Sequence, residues 1–242
     1  MKSSGICFIL YMKWVWSGSV FNSIEGSSGF FSLRNFYNLS LYSLLQMDFD
    51  EDKSKYMERL NVDRSKDRSK KGSVDEAVIP LLDKINRSED YYTTSSCAGR
   101  IVLLAYPESR RKDEAEWLLA SHEKVDFEDV SDALKDKAKN YTCRIYFRQE
   151  SAILHVCCRS IASAQKLINH AKACGFKRSG IMATKRRVMI EIMGSEKLDA
   201  PVALDGKIIV DDPYLRILVM IANERFLYTR QRLLRFEESL IL

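Results

Sequence analysis

Between Val78 and Glu238 the spacing of apolar residues switches repeatedly between the helical and the strand period, which confines the chain to folds where helices cover a sheet. Val78, Leu81, Leu82 and Ile85 form a helical stripe, and Ser73 followed three residues later by Glu76 is a capping box in front of it. Tyr91–Thr94 is β-prone, Ser95–Gly99 is a small-residue turn, and Arg100–Tyr106 is a strand closed by Pro107. Trp117–Ala120 is a short strand, and Phe127, Val130, Leu134 and Ala138 place a helix over 127–139. Tyr141–Arg148 and Ala152–Arg159 are expected to form a hairpin around Gln149-Glu150-Ser151. Ile161, Ala164, Leu167, Ile168 and Ala171 share one helical face, with Gly175 as its left-handed cap. A second hairpin joins Ile181–Thr184 to Val188–Ile192. Leu198–Leu204 is extended, Asp205-Gly206 is a turn, and Pro213 opens a long helix to about Glu238. The expected class is α+β (α/β in the broad sense), a mixed sheet with helices packed on it.

Residues 1–46 stand apart. They are rich in aromatics, Ser and Gly and nearly free of acids, and Lys13 interrupts their one apolar run before it reaches membrane-spanning length. The segment is expected to be disordered, transit-like or the product of an overlong gene model, with translation starting at Met47. Residues 47–71 read as a charged, solvated leader with a short tandem of Asp-Arg-Ser-Lys, and 72–242 as a single catalytic domain. The net charge of +5 is too mild to demand a nucleic-acid partner. Six cysteines without a CxxC pair signal neither a zinc ribbon nor a disulfide scaffold, so no metal is expected and free thiols in a reducing compartment are.

No Gly-x-Gly-x-x-Gly and no phosphate-binding loop ending in Lys-Ser or Lys-Thr appears, which removes a Rossmann-type nucleotide site and a P-loop. Ser95-Ser96-Cys97-Ala98-Gly99-Arg100 combines small side chains, hydroxyls, a thiol and a guanidinium that can fork onto a carboxylate or phosphate. On composition it is equally an ordinary polar turn. His155 lies mid-strand, where a satisfied core histidine is the usual occupant. Asp75 stands at a helix start, where a carboxylate is favourable in any case. Lys177-Arg178-Ser179 is either a phosphate grip or a solvated lead-in, and the arginines of the last helix are either RNA-facing or simply wet.

The order of these segments carries more than any one of them. Lys71-Gly72-Ser73-Val74-Asp75-Glu76, then Thr93 to Arg100, then Leu154-His155-Val156 with Cys158-Arg159, then Gly175 to Ile181 closely resemble the tRNA wybutosine-synthesizing protein 3 family from about Asp48 to Glu238. The resemblance implies an S-adenosylmethionine-dependent methyltransferase with a non-Rossmann fold. It would methylate N4 of the aminocarboxypropyl-bearing wybutosine precursor 3′ of the anticodon in tRNA(Phe), in the cytoplasm, with no membrane partner. It implies Asp75, His155, Ser96 and Cys97 as catalytic residues and Thr93, Ser95, Ser96, Gly99 and Arg100 as cofactor-binding ones. His122 competes with His155, and Arg159, Lys177, Arg178 and Ser179 are possible additions. The rival readings are a non-catalytic tRNA-binding module and a thiol enzyme using Cys97 and His155.

Overall fold

Strands that run straight through a corner, without turning back, organise the molecule. The computed structural model describes residues 48–62, 75–107 and 115–241; residues 1–46, most of the leader after Val62 and the Ser73 of the capping box lie outside them. β1 (Tyr91–Cys97) continues into β2 (Arg100–Tyr106), and β4 (Arg144–Glu150) continues into β5 (Ile153–Cys158). Cys97 lies opposite Ile153 and Arg100 opposite Glu150, so the two segments form one antiparallel ribbon bent at residues 98–99 and 151–152. A third strand crosses beside them, from β7 (Val188–Met193) to β8 (Leu198–Leu204). With β3 (Glu116–Ser121), β6 (Gly180–Ala183) and β9 (Lys207–Ile208) added at the edges, the bend yields a four-stranded sheet β1-β5-β7-β6 and a five-stranded sheet β3-β2-β4-β8-β9.

The bend corrects two expectations. The β4 and β5 segments do not form a hairpin with each other, and Ser95–Cys97 is strand, not turn. Gln149-Glu150-Ser151 has the polarity of a turn, but Gln149 is fully buried inside the bend. Gly99 makes the crossing possible: its φ is +93°, and a Cβ there would stand 2.8 Å from the Glu150 carbonyl oxygen. The class is α+β, with every strand pair antiparallel and the strands divided between two sheets.

Each sheet buries one face under helices. α1 (Phe49–Val62) folds within the segment expected to be solvated leader. A 3-10 turn, Glu76–Val78, leads into α2 (Ile79–Arg87), and α3 (Phe127–Lys137) follows β3. α4 (Ile161–Ala173) is capped by Ser160 at its start and by Gly175 at φ +106° beyond its end. Val78, Leu81, Leu82 and Ile85 pack with Leu154, Val156, Ile190 and α4 residues in one core. Ile101, Leu103, Phe147, Val130 and Leu134 build the other. The last helix, α5 (Asp212–Ser239), spans both: Leu215 to Phe226 enter the second core, while Leu233 and Phe236 enter the first. At 28 residues it is about 42 Å long, enough to strap both arms of the bent ribbon. The described residues fall in one compact unit, and no described helix is long and apolar enough to cross a membrane.

Candidate active site

Side chains alternate along β1, so Ser95 and Cys97 share one face, with His155 and Ile153 opposite them on β5. Ser96 lies on the other face, across from the core residue Leu154. Two polar groupings meet the Ser95–Cys97 face about 7 Å apart along the strand.

The first is at the corner. The Asp75 carboxylate, only 6% exposed, accepts the Ala98 N–H at 3.2 Å through Oδ2 and lies 2.8 Å from Nδ1 of His122 through the same atom. Asp75, Cys97 and His122 bring one donor atom each to within 4.8 Å of one another. Arg230 reaches this group because it sits on α5 between Phe226 and Leu233, where the helix passes from one core to the other. Its Nη2 donates to the His122 carbonyl at 2.6 Å and lies 3.9 Å from Asp75 Oδ1. That guanidinium competes with any cation for the same carboxylate. Its Nη1 is buried and has no hydrogen-bond partner among the described residues. Burial pushes the Cys97 thiol up despite the opposing Gly99 backbone bond and the Arg100 charge, so the sulfur is protonated at neutral pH.

The second grouping lies on the open face. His155 Nδ1 is 2.6 Å from the exposed Ser95 hydroxyl, and its Nε2 is 3.3 Å from Glu191 on β7. Both ring nitrogens are therefore engaged away from Cys97, and the Cys97–His155 thiol pair is not assembled. α1 borders this face: Asp52 takes a forked bond from Arg187 at 2.6 and 2.7 Å and a further one from the Tyr92 hydroxyl.

Other sequence candidates have structural employment. Thr93 is buried, and its N–H donates to Asn86 at 2.7 Å. Gly99 packs on the backbone of Glu150–Ala152. Arg100 donates to Glu150 at 2.6 Å and stacks 4.2 Å over Trp117. Arg159, at the far end of β5, forks onto Asp50 of α1. Ser179 is buried and bonds to the Phe176 carbonyl, while Lys177 and Arg178 are exposed. Glu191 carried no functional reading from sequence, and Arg230 counted only among the last helix's arginines, expected to face RNA or water, whereas the structure turns it into the corner beside Asp75. The signal for Arg230 was its phase, one step from the buried Phe226–Thr229–Leu233 stripe; for Glu191 it was the register opposite His155, which a single sequence does not reveal.

The model of a protein family described as methyltransferase TYW3 matches residues 51–241. The chain belongs to that family. The TYW3 match covers both groupings at the site. A tRNA(Phe) 7-((3-amino-3-carboxypropyl)-4-demethylwyosine(37)-N(4))-methyltransferase 1 of Pyrococcus abyssi is 40% identical over 71% of this chain and 87% of its own length. The tRNA wybutosine-synthesizing protein 3 homolog of Mus musculus is 37% identical over 70% of this chain and 66% of its own. The solved structure of the PH1069 protein from Pyrococcus horikoshii superposes with a TM-score of 0.70 at 35% identity, over 79% of this chain and 95% of that one.

Proposed function

We propose that this methyltransferase modifies N4 of the 7-aminocarboxypropyl-demethylwyosine precursor beside the anticodon of tRNA(Phe), using S-adenosylmethionine, in the cytoplasm. The observation that carries the reading is the placement of Asp75, Cys97, Ser95 and His155 along one strand face, half in a buried corner and half in the open. The relatives' names supply the substrate.

The corner suits the methyl donor. Arg230 has a buried N–H to spare for a carboxylate. When bound there, S-adenosylmethionine supplies an electrophilic methyl group. Asp75 holds the Ala98 N–H and His122 in place around the bound donor. The open face suits the RNA base, which must leave its stack and arrive from solvent. There Ser95 and His155 take up the proton that the ring nitrogen loses. Lys177 and Arg178 are exposed and carry the charge that phosphates need.

The test is direct. Purified protein with S-adenosylmethionine and tRNA from cells lacking this step should convert the precursor nucleoside into one heavier by a single methyl group, read by mass spectrometry. An unchanged precursor alongside intact RNA binding would leave the non-catalytic module as the correct reading.

A further inference from the structure

We infer that Glu191 is the positioning residue of a proton relay that runs from Ser95 to His155. The inference rests on the functional reading above and adds the route by which the substrate nitrogen loses its proton. Other strand-borne carboxylates face arginines or a phenol: Glu150 meets Arg100, Asp199 meets Arg148, and Glu116 accepts from the Tyr141 hydroxyl. Glu191 faces an imidazole instead. On its other side, across the β6–β7 pair, stands Gly180, whose missing side chain leaves that flank open. Among the described residues, His155 is the one hydrogen-bond partner of its carboxylate.

A carboxylate only accepts, so the 3.3 Å contact assigns the hydrogen to Nε2 of His155. Nδ1 is then the unprotonated nitrogen, and the Ser95 hydroxyl donates to it at 2.6 Å. Ser95 is exposed and presents its oxygen lone pairs outward, whereas the imidazole stays three-quarters covered. The relay follows. As the substrate N–H bond breaks, its proton passes to Ser95 Oγ while the Ser95 proton passes to His155 Nδ1. The nitrogen keeps the electron pair it uses to bind the methyl group. Glu191 stabilises the resulting imidazolium, which releases its proton to solvent. Without Glu191 the ring can carry its hydrogen on Nδ1, turn donor toward Ser95 and block the transfer.

The chain has three histidines, so 15N-histidine NMR of the whole protein resolves them, with His155→Asn as the assignment control. Neutral wild-type His155 should show the Nε2–H tautomer. Glu191→Leu should lose that preference and lower kcat about tenfold or more, with KM for the tRNA unchanged. Glu191→Gln, whose amide oxygen can still accept, should keep the tautomer but not the full rate, and it covers the case in which the leucine variant folds poorly. An unaltered tautomer in folded Glu191→Leu, or unaltered kcat in both variants, would overturn the relay. If the wild type transferred no methyl group the functional reading would fall, and the tautomer measurement would still decide the geometry claimed here.

Discussion

The two ends of the Ser95–Cys97 face solve the problem of holding a histidine in different ways. His122 is gripped by a buried carboxylate that is itself tied to a backbone N–H and lies beside a guanidinium. His155 hangs between a serine and a glutamate that are each partly open to solvent. The buried arrangement gives rigidity and little contact with water; the open one gives proton exchange with solvent and access for a large substrate. A methyl donor needs the first, and an RNA base needs the second.

The contrast is broken most severely at Asp75. Asp75→Ala strands the Ala98 N–H, His122 and Arg230 together in the corner. Methyl transfer should fall about 100-fold or more. Folding stability should fall by about 1–3 kcal/mol, the cost of leaving buried groups unpaired. Asp75→Asn, which retains an acceptor for Ala98, should recover most of the stability and little of the activity. Equal loss of both in the two variants, measured by methyl incorporation and thermal unfolding, would reduce Asp75 to a structural residue.

How much of this was legible beforehand depends on the range of the interactions. Local signals held: the Val78–Ile85 stripe, the Gly175 cap and the Pro213 helix start all reappear in the structure. The long-range ones did not. The hairpin around Gln149-Glu150-Ser151 failed because the polarity of the triplet marks a turn only when it faces water, and the neighbouring strands bury Gln149 completely. Ser95, Cys97, Asp75 and both histidines were named from sequence, but their division into two groupings depends on the β1–β5 register and on where α5 crosses the corner. Arg100 and Arg159 carry the right chemistry for ligands, yet Glu150 and Asp50 already hold them.

A milder test acts on the wall of the open face. Burial opposes ionisation of Asp52, but the bonds from Arg187 and Tyr92 outweigh it and hold its carboxyl below the usual value of 3.8. A folded-state pKa below the unfolded one means that the stabilisation is complete above about pH 4 and fades as the pH falls through the lower, folded value. α1 should therefore lose amide-exchange protection in strong acid before β1 and β5 do. Arg187→Gln should produce the same selective loosening at neutral pH. Simultaneous loss across α1 and the sheet would show that the Asp52–Arg187 pair does not act as a separable clasp.

The smallest effect is expected where the two groupings meet, at Cys97. A thiol pushed up by burial is a poor nucleophile near neutrality; His155 is turned toward Ser95, and His122, the nearer imidazole, is held by Asp75. Cys97→Ser removes the sulfur and nearly preserves the volume, so methylation should stay within about threefold of the wild type, whereas loss of an obligate nucleophile would cost about 1000-fold or more. Alkylation by iodoacetamide should be slow at pH 7 and quicken only as the pH rises past the ordinary thiol value of 9.0. Cys97→Leu should behave differently, because the added bulk intrudes where Asp75 and His122 converge. A large activity loss in the leucine variant with little in the serine variant would show that this position matters for the space it leaves rather than for its sulfur. Equal, severe losses in both would bring covalent chemistry back into consideration.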